Sequence, residues 1–213
     1  MGFKENSALF LFVLLCGSMC SGKAPGEVPE ITVLLQNRVK LSQTVLKQAE
    51  AEVARILGAA GIHVRWVDCM KTDMCHHVPT ANEFVLSIVS DGRTSNDMVY
   101  GIAFLGPAGE GKYSDVFFRR IEAACSLNGE KVTRFLGTVA AHELGHLLLG
   151  SHAHTYEGVM SAVWREPTLR RMNMGTLLFT GEESMAMKAR LAGEGASRDL
   201  PEYTRTRTRS LIP

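Results

Sequence analysis

The feature that most constrains this chain is a His-Glu-x-x-His motif at residues 142–146. Residues four apart on an α-helix lie on one face, so His142 and His146 point the same way if this segment is helical. Two imidazoles on one face can occupy two corners of a tetrahedral zinc site. Glu143 would then lie beside the metal without binding it, where it can take a proton from the attacking water. The motif predicts a metal-dependent hydrolase; the alternative is a helix with two incidental histidines.

The residues after the motif strengthen this prediction. Gly150 can adopt the left-handed conformation that ends a helix, so we expect the chain to turn back there. Two more histidines follow, His152 and His154, and either can supply a third ligand. Met160 comes shortly after them, in a position to lie close to the cluster.

This arrangement resembles the metzincin clan of zinc metallopeptidases, whose H-E-x-x-H-x-x-G-x-x-H motif is followed by a methionine turn. It is most similar to small, secreted, matrixin-like bacterial proteins with the pattern HELGHLLLG-x-x-x-H-x-x-x-G-[IV]-M. The similarity extends to residues 61–69 and 116–122 and covers roughly residues 30–192. Gly150 lies eight residues after His142, one more than in the clan motif, so the third ligand stays open between two histidines.

The resemblance implies the roles of the site residues. His152 keeps the clan's ten-residue offset from His142, whereas His154 keeps the spacing to the glycine and Met160 of the most similar sequences. We predict that His142, His146 and His154 bind Zn²⁺, with His152 as the alternative third ligand. Glu143 is the predicted general base, and Met160 the predicted hydrophobic floor under the metal.

Hydrophobic patterns predict five strands and three helices. Strand, helix and strand at this spacing favour a right-handed crossover and parallel pairing. The order fits the α+β fold that the metzincin resemblance implies, a twisted, mostly parallel five-stranded sheet packed on the active-site helix, followed by a small irregular C-terminal part with one helix. Residues 165–179 have no clear pattern. The strands are predicted at 31–35, 62–67, 84–89, 99–105 and 114–118, and the helices at 42–57, 131–149 and 180–191.

The two ends of the chain differ from its middle. Lys4, an apolar run at 8–15 and small residues at 17–22 are typical of a secretory signal peptide, and the run is too short to span a bilayer. We therefore predict a signal peptide at 1–22, a catalytic domain at 23–192 and a disordered tail at 193–213. A retained N-terminal anchor, or lipid attachment, is the alternative.

Export implies an oxidising compartment, in which the three remaining cysteines are expected to pair and leave one over. Cys69 and Cys75 flank a short polar loop, and the resembling sequences carry a cysteine pair in this region. We predict a Cys69–Cys75 disulfide with Cys125 outside it; pairing of Cys125 with either partner is the alternative.

The composition and net charge of the chain limit the classes of partner that we expect. The chain has 213 residues, of which 46% are hydrophobic and 21% charged, as in one ordinary globular domain. A net charge of +1 without a basic patch gives no reason to expect nucleic acid. The expected partner is a protein or peptide substrate, which in the resembling clan lies along the edge strand; residues 99–105 are the candidate. We expect a monomer with no stable membrane association after signal removal.

The sequence therefore predicts a zinc metalloendopeptidase that is secreted or periplasmic. One alternative is a zinc-binding non-catalytic module, which has no use for Glu143 beside a water. Another is a zinc amidase that acts on cell-wall crosslinks and shares the same chemistry. The residues that would contact substrate lie in loops that do not separate peptide from cell-wall substrates.

Overall fold

Strands and helices alternate along the part of the chain that the computed structural model describes, residues 28–193 apart from 73, 74, 93, 95, 97, 129 and 130. The predicted signal peptide and nearly all of the predicted tail lie outside the described residues. The elements are β1 (Glu30–Asn37), α1 (Gln43–Ala59), β2 (His63–Asp68), β3 (Glu83–Val89), β4 (Gly101–Phe104), β5 (Tyr113–Phe117), α2 (Phe118–Asn128), α3 (Val132–Leu149), α4 (Glu166–Asn173) and α5 (Gly181–Leu191).

The five strands form one sheet in the order β2-β1-β3-β5-β4. β1 pairs in parallel with both β2 and β3, and β3 pairs in parallel with β5. β4 runs antiparallel to β5 and forms an edge of the sheet. The predicted mostly parallel five-stranded sheet is thus confirmed, and every predicted strand is present within a few residues of its predicted bounds.

Helix α1 returns the chain from β1 to β2 and packs on one face of the sheet beside α3. It begins where the sequence predicts, because the Ser42 side chain accepts a hydrogen bond from the Val45 amide. Its inward side buries Leu46, Val53 and Ile56. The core therefore lies between the sheet and these two helices.

Helix α3 is buried along almost its whole length, from Phe135 to Leu148. It ends at Gly150, which has φ 63° and donates its amide to the His146 carbonyl. Only glycine adopts this left-handed conformation without steric cost, so the predicted stop is also the observed one. The helix is a fixed base for the residues that it carries.

Two helices were not predicted. α2 begins at Phe118, directly after β5, with no glycine or proline to mark the change. α4 lies in the stretch that has no clear pattern, begins with Pro167 in its first turn and buries Met172 alone. The C-terminal part therefore holds α4 in addition to the predicted last helix, α5. α5 begins with the predicted capping box of Thr180 and Glu183.

The cysteines pair as predicted. Cys69 and Cys75 form a disulfide, and Cys125, which is buried on α2, takes no part in it. Among the described residues, no helix combines the length and the apolar character needed to cross a membrane.

Candidate metal centre

The structure brings three of the four cleft histidines around one point. α3 places the Nε2 atoms of His142 and His146 3.1 Å apart. The ring of His154 comes in from the segment after Gly150, with its centroid 5.3 Å from that of His142 and 4.9 Å from that of His146. One ring nitrogen from each of the three lies within 4.8 Å of the other two. These distances suit one shared metal ion.

Backbone carbonyls fix how two of the rings are turned. His142 Nδ1 lies 2.7 Å from the Val159 carbonyl oxygen, and His146 Nδ1 lies 2.7 Å from that of Ser151. A carbonyl only accepts, so Nδ1 carries the proton in both rings and donates it. The lone pairs of both Nε2 atoms then face the shared point, which is how metal-binding histidines are usually oriented.

Burial keeps these imidazoles neutral, as metal binding requires. It lowers the pKa of His142 to about 3 and that of His146 to about 4, and it also lowers the pKa of His154. Three neutral nitrogens suit Zn²⁺ or a similar transition metal rather than Ca²⁺ or Mg²⁺, which prefer oxygen. Nitrogens bound to one zinc at 2.0–2.1 Å are roughly 3.3 Å apart in a tetrahedron. The donor set and its spacing therefore fit zinc.

His152 lies outside this group of donors. Its ring centroid is 6.0 Å from that of His146, and its side chain lines the same cleft. Of the two histidines between which the sequence left the third ligand open, His154 therefore belongs to the converging group and His152 does not.

Glu143 lies beside the histidines and lines the cleft. It packs closely against the start of β4, since a Cβ on Gly101 would lie 2.6 Å from Glu143 Oε1. Within the part of the chain that the structure describes, no group forms a hydrogen bond to its carboxylate. Burial raises the pKa of Glu143 to about 8 in the metal-free protein. A cation held by the histidines would favour the ionised form, which is the form that can accept a proton.

Met160, the predicted hydrophobic floor, packs against α3 at Gly145. It is fully buried, and a Cβ on Gly145 would lie 2.6 Å from its sulfur. Gly145 lies on α3 just before His146, and its missing side chain leaves room for the Met160 sulfur against the helix. The segment returns there because the Thr155 amide donates to the Met160 carbonyl over 3.0 Å.

A cleft of about 420 Å³ opens over the three histidines. One wall consists of residues 98–103, which include most of β4, and the other of residues 161–164. The ring of Trp164 lies 5.8 Å from that of His142 and 5.5 Å from that of Phe135. Sequence reasoning missed Trp164, because it belongs to an irregular stretch where no spacing indicates a side chain's direction.

Of the comparisons with known proteins, only the one with solved structures finds a similar fold. No protein-family model matches the sequence, and no curated protein matches it. Among solved structures, the fold is similar to a zinc-dependent peptidase from Methanocorpusculum labreanum, with a TM-score of 0.51 and 15% identity over 74% of this chain and 99% of that one. An archaemetzincin from Methanopyrus kandleri aligns with a TM-score of 0.47 and 16% identity over 79% and 98%. At such low identity, the first likeness concerns the fold.

Proposed function

We propose that this protein is a zinc-dependent endopeptidase. The observation that carries the proposal is the convergence of three neutral imidazoles beside Glu143 in an open cleft. The wall of that cleft is an edge strand, which among the described strands pairs only with β5. An extended peptide can add to such an edge by backbone hydrogen bonds. The fold it shares with a protein described as a zinc-dependent peptidase supports the same function.

The residues of the cleft divide the work of hydrolysis. Zinc, when bound, acts as a Lewis acid that polarises the scissile carbonyl and acidifies the attacking water. His142, His146 and His154 would hold it through neutral nitrogens, and the carbonyls of Val159 and Ser151 orient the rings of His142 and His146. Glu143 takes a proton from the water as the water oxygen forms a bond to the carbonyl carbon. It then delivers that proton to the leaving nitrogen as the C–N bond breaks.

Export is the second part of the proposal. The Cys69–Cys75 disulfide favours a secreted or periplasmic location, because such bonds persist in oxidising compartments. A signal peptide at 1–22 is consistent with this location. The enzyme would act there as a monomer on protein or peptide substrates.

Two other functions use the same zinc site. In a non-catalytic zinc module, Glu143 would have no role, yet its carboxylate lines the cleft and has no hydrogen-bond partner among the described residues. A cell-wall amidase would use the same Lewis acid and base. The unpaired edge of β4 favours the peptide, because it offers backbone hydrogen bonds to an extended chain.

Metal analysis and cleavage of a denatured-protein mixture test the proposal. We expect one zinc per chain and internal cleavages that a chelator abolishes and added zinc restores, with fragments identified by mass spectrometry. If the protein binds zinc but cleaves no substrate, it is a non-catalytic binding module. Cleavage of purified cell wall alone would identify a cell-wall amidase. Release of single terminal residues would identify an exopeptidase.

A further inference from the structure

Glu183, the third residue of α5, is a buried carboxylate that does more than cap its helix. Its Oε2 accepts the Thr180 amide over 2.8 Å, and its own amide donates to the Thr180 hydroxyl over 3.2 Å. This capping box uses one carboxylate oxygen and normally lies at the surface. Here the residue is only 6% exposed. Burying a carboxylate costs free energy unless both oxygens have hydrogen-bond partners. The partner of the second oxygen, Oε1, therefore shows what else this side chain holds in place.

That second oxygen reaches the segment that carries the third histidine. Glu183 Oε1 lies 2.9 Å from the Thr155 hydroxyl, which also lies 2.7 Å from the Glu157 carbonyl oxygen. The single proton of the hydroxyl is shared between these two acceptors. Thr155 directly follows His154, so the contact joins α5 to a residue adjacent to the metal centre.

The same segment also orients the first histidine. The Thr155 amide donates to the Met160 carbonyl over 3.0 Å and closes residues 155–160 into a loop. Within it, the Val159 amide donates to the Leu178 carbonyl over 3.0 Å, and the Val159 carbonyl accepts the Nδ1 proton of His142 over 2.7 Å. The loop therefore orients the ring of His142 through the Val159 carbonyl, and it begins at the residue that follows His154.

We propose that Glu183 is a positioning residue for the metal site, acting through Thr155 on the 155–160 loop. The inference rests on the proposed zinc function. No lysine or arginine of the described chain forms an ion pair with Glu183. Its buried carboxylate instead accepts hydrogen bonds from the Thr155 hydroxyl and the Thr180 amide. Groups that hydrogen-bond a metal ligand typically change metal affinity about 10- to 100-fold when they are removed, and Glu183 acts through the loop that holds one such group, the Val159 carbonyl.

Three variants and a matched control isolate the contact. Thr155→Val keeps the shape of the side chain and removes the hydroxyl, and Glu183→Ala removes the carboxylate. Glu183→Gln can keep both hydrogen bonds, since its amide oxygen can accept from Thr180 and its NH₂ can donate to the Thr155 oxygen. Thr180→Ala weakens the same helix cap but leaves the Thr155 contact in place. All are measured as full chains loaded with zinc.

The readout is the rate of zinc release to excess chelator at neutral pH, together with the visible spectrum of the Co²⁺-substituted protein. We expect release about 10-fold faster or more in Thr155→Val and Glu183→Ala, with an altered Co²⁺ spectrum. Glu183→Gln and Thr180→Ala should stay within about threefold of the wild type.

Wild-type release rates in Thr155→Val would overturn the proposal, even if Glu183→Ala does not fold. Equal acceleration in Thr180→Ala and Thr155→Val would reduce the role of Glu183 to helix capping. A wild-type protein that binds no zinc would instead contradict the proposed function, so the two failures are distinguishable.

Discussion

The ring nitrogens of three cleft histidines converge on one point, whereas His152 is not part of that group. This difference predicts different effects of their substitution on zinc binding. His154 shares a point with His142 and His146, whereas the ring of His152 stands 6.0 Å from that of His146. We predict that His154→Ala loses zinc at neutral pH, while His152→Ala keeps it with at most a modest loss of affinity. Metal analysis of the two purified variants decides between them, and the opposite result would move the third ligand to His152.

The buried histidines also predict a pH dependence of the metal-free protein. Their folded-state pKa values, about 3 for His142 and about 4 for His146, lie below the ordinary value of 6.5. The unfolded chain therefore binds protons that the folded one does not, and the free energy of unfolding must fall as pH drops from 6.5 toward 4. Glu143 acts in the opposite direction, because its raised pKa makes the fold lose stability as pH rises from 4.5 to about 8.

Glu143→Gln removes this opposing titration, so it is the background for the measurement. Chemical denaturation of the metal-free variant should show the free energy of unfolding decreasing by a few kcal/mol, at order of magnitude, between pH 6.5 and 4. A flat profile over that range would mean that these imidazoles take up protons in the folded state as easily as in the unfolded one.

At the scale of elements, α2 supports the wall of the cleft through Arg120. Its side chain is buried and forms an ion pair with Asp91. The guanidinium also donates to backbone carbonyls, among them those of Thr94 at 2.8 Å and Asn96 at 2.6 Å. These residues precede β4, and Asn96 lines the cleft. Arg120 therefore ties the start of the edge strand to the body of the fold.

If the proposed peptide substrate binds along this wall, Arg120→Met should raise KM for a protein substrate about tenfold and leave kcat within about threefold, because the wall lies apart from Glu143 and the proposed ligands. Arg119→Met, at the exposed neighbouring position, is the matched control and should leave both constants unchanged. Steady-state kinetics on a peptide substrate provide the measurement. A drop in kcat at constant KM in Arg120→Met would show that the wall acts on the chemistry instead.

The sequence predicts those elements whose ends or faces carry their own chemical signals. Ser42 caps α1, Gly150 ends α3, and alternation or continuous apolar runs mark the five strands. α2 escaped prediction because the apolar run Val116–Phe118 continues from strand to helix without a break. α4 escaped because burial of Met172 alone gives no periodic face. The roles of Arg120 and Glu183 depend on partners more than twenty residues away, which spacing does not indicate.

At the scale of the whole molecule, the Cys69–Cys75 bond constrains the loop after β2, far in sequence from the cleft residues. The bond spans six residues. Closing so short a loop stabilises a fold by about 2 kcal/mol through the entropy of the unfolded chain. We predict that the double variant Cys69→Ala, Cys75→Ala loses about this much free energy of unfolding in denaturant titration and keeps its zinc content. Zinc loss would show that the loop supports the metal centre as well.

The proposed mechanism involves the whole site, with Glu143 as the general base beside a zinc held by three histidines. The most direct test compares kcat/KM of the wild type and Glu143→Ala on one denatured protein, at equal measured zinc content. A positioned proton acceptor contributes about 10²- to 10⁴-fold to the rate. We therefore predict that kcat/KM falls by at least about 10²-fold while zinc stays at one per chain. Full activity in Glu143→Ala would show that Glu143 is not the general base.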